Sequence, residues 1–126
     1  MPRWALLQHS LPDHTWHYDW LIQPTDTNPQ VPLITFRTVH SPIDPAVIAF
    51  PAERIQDHRS DYLDYEGALT SNRGQVRRIA QGQAHILRDD AQFHVILDGK
   101  QHWKGLRHGL QGPLYQFHLS DHPDFG

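Results

Sequence analysis

Between its prolines and glycines the chain alternates. From His14 to Gln23, Trp16, Tyr18, Trp20 and Ile22 fall on one face and His17, Asp19 and Leu21 on the other, the two-residue period of a β-strand. Val31 to Val39 is rich in β-branched and aromatic residues. Phe93, Val95 and Leu97 alternate with polar His94 and lead into Asp98-Gly99, a strong hairpin dipeptide, and Tyr115, Phe117 and Leu119 alternate against Gln116 and His118. Val76 to Ile79 and Ala84 to Leu87 predict two shorter strands joined near Gly82. Only Ala46 to Phe50 and Pro51 to Asp57 predict a short helical turn, and Pro24 to Pro29 reads as a loop. Many short strands between turn signals predict an all-β chain with short helical turns, a small antiparallel β-barrel or sandwich.

Composition narrows the class. The 126 residues fit one domain spanning 1–126. Only 38% are hydrophobic, but four Trp, five Phe and four Tyr supply large core side chains. The longest apolar runs, such as Trp4-Ala5-Leu6-Leu7, fall far short of the about 20 residues of a spanning helix. There is no cysteine and no charged-then-apolar leader, so the expectation is a cytoplasmic chain in a reducing compartment, without disulfides, cysteine-ligated zinc or a membrane span.

Eleven Lys and Arg against fourteen Asp and Glu give a net charge of −3, with no basic stretch that announces nucleic acid. The unusual count is eleven histidines. With ordinary pKa values near 6.5, roughly a quarter are charged at pH 7. Position, not number, decides whether any of them does chemistry.

Three groups carry candidate chemistry. His17 and Asp19, two apart on a strand, project from one face, which is two-thirds of a two-histidine, one-carboxylate metal site with open positions. His9, one loop upstream, or the nearer His14 would complete it; alternatively, His17 and Asp19 bond to each other on a solvated face. The second group runs from Asp57 to Gly67, where His58 and Tyr62 lie four apart. Both can donate to a phosphoryl oxygen, and a histidine can protonate a leaving alkoxide; the alternative is a polar turn with ordinary packed tyrosines. The third is Ser71 to Arg78, a turn whose three arginines could hold phosphate through their planar forks or form a solvated strand end. No P-loop, dinucleotide fingerprint, nucleophile elbow or His-Glu-x-x-His is present.

In order along the chain these pieces resemble the 3′-phosphoesterase domain of bacterial DNA ligase D. The matching residues are Gln8-His9, Trp16-His17-Tyr18-Asp19, Leu33 to Arg37 with Pro42 and Asp44-Pro45, Asp57-His58 through Tyr62, Tyr65-Glu66-Gly67, Arg73 to Val76, and Gly99 to Leu106. They cover about residues 3 to 120. The resemblance implies an eight-stranded barrel with a crescent-shaped site and a manganese ion held by residues matching His9, His17 and Asp19, with His14 as a substitute for His9. Residues matching His58 and Tyr62 engage the phosphate. It also implies removal of a 3′-phosphate or 3′-terminal ribonucleotide from DNA 3′ ends, such as a primer-template or RNA–DNA junction, to leave a 3′-hydroxyl. Ligase and polymerase proteins of end joining are the implied partners. The donor types suit zinc or another divalent metal as well.

The chain departs from that pattern at three places. His9 lies eight residues before His17, where the family spacing is six. Leu21 stands where the family has an arginine that contacts phosphate, and Arg73 and Arg37 are the candidates to replace it. The glycine-rich turn is reduced to Asn72-Arg73-Gly74. The alternatives are a member without catalysis that binds DNA ends or protein, and an unrelated histidine-rich barrel that stores or senses metal.

Overall fold

The computed structural model describes residues 1–120. Its strands are β1 (Arg3–Ser10), β2 (Trp16–Ile22), β3 (Leu33–Thr38), β4 (Ala49–His58), β5 (Gly67–Ala68), β6 (Gln75–Asp89), β7 (Gln92–Leu97), β8 (Gln101–Arg107) and β9 (Leu114–Ser120), with a 3₁₀ turn at Ser60–Leu63. All pairings are antiparallel, in the order β1-β2-β3-β4-β9-β8-β7-β6-β5. A further pairing of β1 with β6 closes eight of the strands into a ring, which leaves no open edge on them. No helix among the described residues is long and apolar enough to cross a membrane.

The alternation fills the inside of the ring. Trp4, Leu6, Trp20, Ile22, Ile34, Phe36, Phe50, Ala52, Phe93, Val95, Leu97, Trp103, Tyr115 and Phe117 form one buried cluster, with successive members two apart on each strand. Phe117 lies at its centre, with its ring 5.0 to 5.4 Å from those of Phe36, Phe50 and Trp20. A Cβ on Gly105 would come within 2.7 Å of the Phe117 ring, so the directly opposite residue has to be glycine.

β1, β2 and β3 are also covered on their outer face. Ala5, Leu7, Leu21, Leu33 and Val76 form a second buried cluster with Leu63 of the 3₁₀ turn. Burial on both faces explains the runs Trp4-Ala5-Leu6-Leu7 and Trp20-Leu21-Ile22, which are continuous where a one-sided strand would alternate.

Two segments differ from the sequence expectation. Ala46 to Phe50 and Pro51 to Asp57 do not form a helical turn. From Ala49 onward the chain is β4, because Phe50 and Ala52 alternate into the ring. Pro51 is tolerated because its backbone faces β3 beyond the last residue of that pairing, and its carbonyl accepts the Thr38 hydroxyl at 3.0 Å. The helical residues come later, at Ser60–Leu63. The two strands expected around Gly82 are one strand of 15 residues. Gly82 marks a close approach and not a break: a Cβ there would lie 2.7 Å from the Trp4 indole nitrogen and 2.0 Å from the Asp98 carboxylate. β6 carries one extra residue at Ile79 against β1 and another at Leu87 against β7. These bulges bend the strand and leave both side chains exposed.

His94, on β7, is only 3% exposed. Burial pushes its pKa below the ordinary histidine value, and Lys104 and Arg88 push the same way, against Asp90. Unfolding restores the ordinary value, so below about pH 6.5 the unfolded chain takes up the proton first and stability falls. Urea denaturation between pH 7.5 and 5.5 is therefore expected to show a smaller acid loss for His94→Gln than for wild type. Equal losses would rule His94 out as a source.

Candidate metal centre

The β1–β2 register sets His9 directly across from His17 and Leu7 across from Asp19. Directly opposite residues share a face, as do residues two apart, so His9, His17 and Asp19 all project from the outer side of the ring. The two imidazoles meet edge to face with centroids 4.8 Å apart. His9 Nδ1 lies 3.4 Å from Asp19 Oδ2, and His17 Nε2 lies 3.1 Å from Asp19 Oδ1. One ligand atom from each falls within 4.8 Å of the others. The side chains are 15%, 11% and 4% exposed, in the order His9, His17, Asp19.

The donor chemistry fits a metal ion. His17 Nε2 and Asp19 Oδ1 are fully buried, and neither makes a hydrogen bond among the described residues although they face each other. Buried polar atoms without partners are costly and uncommon. A cation between them resolves the cost, since donors each about 2.1 Å from one ion sit roughly 3 to 3.5 Å apart.

A hydrogen bond outside this group fixes the tautomer of His9. His9 Nε2–H donates to the Arg73 carbonyl at 2.7 Å, which leaves the Nδ1 lone pair facing Asp19, the usual support for a ligating histidine. The loop that provides this carbonyl depends on Gly74. Its φ is +92°, and a Cβ there would lie 1.9 Å from the Ser10 carbonyl oxygen, so only glycine brings Arg73 against His9.

His58 joins from β4. Between Ile55 and His58 this strand has one residue more than β3 has opposite it, so His58 pairs with Leu33. Without that bulge the period of two would aim His58 into the ring; with it the imidazole faces outward. His58 Nδ1–H donates to the Gln56 carbonyl at 3.0 Å, leaving Nε2 3.9 Å from Asp19 Oδ2. The Tyr62 ring, on the 3₁₀ turn, stands 5.5 Å from the His58 ring. His9, Asp19, His58 and Tyr62 line one cleft of about 470 Å³, closed on its other side by Thr70 and Arg73.

His14 lies outside this group. It is exposed in the β1–β2 turn with φ +69° and lines a different hollow with Ser10, Trp16 and Asn72. Thus His9, on the regular strand, completes the donor set, and the β1–β2 turn accommodates its spacing of eight residues from His17, so that the two pair directly. Arg37 lies across from Asp19 in the register, but its guanidinium approaches Glu53 at 3.8 Å and it does not line the cleft. Arg73 does line it, with Nε and Nη2 tied to Thr70 at 2.9 Å each.

Sequence reasoning missed Arg59, an exposed cation lining the cleft with its guanidinium 5.7 Å from the Tyr62 ring centroid. Its signal was its place between His58 and Tyr62. Leu21 is explained by the second core, where it is fully buried against Leu63. A guanidinium at that position has no solvent to reach, whereas Arg59 brings one to the cleft.

No protein-family model matches the chain, and no curated protein matches it significantly.

Proposed function

We propose that this chain is a divalent-metal-dependent phosphoesterase that heals DNA 3′ ends, the activity of the ligase D 3′-phosphoesterase family its motifs resemble, with manganese as the metal. The observation that carries the reading is the buried pair His17 Nε2 and Asp19 Oδ1, 3.1 Å apart without a hydrogen bond, of which Asp19, with His9, lines a cleft shared with His58, Tyr62 and two arginines. A divalent ion held by His9, His17 and Asp19 supplies Lewis-acid polarisation of a phosphoryl oxygen; zinc satisfies the same donors.

The protein groups divide the remaining work. His58, oriented by the Gln56 carbonyl, holds a proton at Nε2 for the leaving oxygen. Tyr62 donates its hydroxyl to the phosphoryl group. Arg59 and Arg73 offset the charges of Asp19 and Asp57 around the cleft, so a divalent ion together with the proton on His58 leaves a net positive charge, which suits a phosphate monoester dianion. This favours a terminal phosphate over an internal diester. The product 3′-hydroxyl is what a polymerase extends and a ligase seals, which makes end-joining enzymes the partners the reading entails.

The test is release of inorganic phosphate from a 3′-phosphorylated primer-template with manganese. Wild type is expected to release it and His17→Ala to stay at background. No release by wild type would overturn the reading. Leu21 favours a second one, a module that binds 3′ ends without hydrolysis, which predicts retained binding and no phosphate release.

A further inference from the structure

Beside the metal cleft lies a second hollow of about 270 Å³ that shares the wall formed by Arg59, Tyr62, Leu69 and Thr70. Its far side is Tyr65, whose ring meets that of Tyr62 at 5.9 Å and 82°. Tyr62 and Leu69 also pack against the second core, whereas Tyr65 belongs to neither buried cluster and is 38% exposed. Its hydroxyl nevertheless donates to the Ala68 carbonyl. The ring is therefore exposed and fixed at its tip, a platform already ordered before anything binds. Arg59, on the shared wall, can face either the cleft or the hollow.

We propose that this hollow is a stacking subsite for the nucleobase of the nucleotide whose phosphate occupies the metal cleft. Fixed aromatic rings beside a guanidinium accept any base, because every base has a π-face. Continuity with the cleft makes the base of the terminal nucleotide the group that reaches it. The subsite makes the substrate a nucleotide-bearing ester and not a small phosphate ester in general. Placing a phosphate in the cleft rests on the phosphoesterase reading; stacking on Tyr65 is a separate property and can be tested apart from turnover.

The experiment uses the full chain loaded with manganese and 5′-labelled oligonucleotides ending in a 3′-phosphonate, which resists hydrolysis. The terminal nucleotide either carries its base or is abasic, and dissociation constants are read by fluorescence anisotropy. Wild type is expected to bind the base-bearing end about tenfold more tightly, within the range for one base stacked on an aromatic side chain. Tyr65→Leu is expected to bind both ends alike, and Tyr65→Phe, which keeps the ring, to retain most of the preference. Equal binding of the two ends by wild type, or an unchanged preference in Tyr65→Leu, would overturn the subsite. Phosphate release from the matching 3′-phosphates is followed in parallel. Release without base preference sinks the subsite alone, base preference without release sinks the phosphoesterase reading alone, and failure to bind either end sinks both.

Discussion

Manganese at about a hundred times its dissociation constant is expected to raise the melting temperature of the wild-type chain by about 10 °C. Binding only to the folded state at that excess adds about 2.7 kcal/mol, and for a domain of this size each kcal/mol moves the midpoint by roughly 4 °C. The shift should vanish in His17→Ala, which loses a ligand, and in Asp19→Asn, which loses the site's carboxylate. Without metal the two variants should differ from a simple loss of packing. Asp19→Asn is expected to melt no lower than wild type, because it removes a buried negative charge whose Oδ1 has no hydrogen bond among the described residues. A wild-type midpoint indifferent to manganese and zinc, in differential scanning fluorimetry, would remove the metal centre from the account.

Leu21→Arg, which introduces the arginine of the pattern that the motifs resemble, is expected to cost about 3 kcal/mol or more in urea denaturation and to add no turnover. Leu21 has no exposed surface and packs with Ala5, Leu7, Leu33 and Leu63. An arginine there overfills the cluster and buries a guanidinium without a partner. Relief would require lifting the 3₁₀ turn, which carries Tyr62 as well as Leu63, so any activity should fall with stability. An unchanged denaturation midpoint would show instead that the guanidinium passes under the turn into the cleft.

The two variants bear on how much the sequence disclosed. His17 and Asp19 were legible together because a strand's period of two is local: it needs no knowledge of what lies beside it. The choice between His9 and His14 was not legible, since it turns on which residues the hairpin sets opposite one another. His58 and Tyr62 could be picked out by spacing. That His58 faces the metal group and not the ring interior depends on one extra residue in β4 relative to β3, and no local pattern marks it. Arg37 and Arg73 looked alike as spare cations; Glu53, two strands from Asp19, separates them.

Alternation by itself determined that the chain is all β, and it assigned the faces of β2, β7 and β9. It left barrel and sandwich equal, because both bury one face of every strand. The β1–β6 pairing decided for a closed ring. The same pairing brings Val76 beside His9 and, one turn away, the Arg73 carbonyl onto its ring. Contacts between residues more than sixty positions apart are fixed by how strands register and bulge when two cores are filled at once. The sequence names the donors through local periodicity; only that simultaneous packing decides which of them meet.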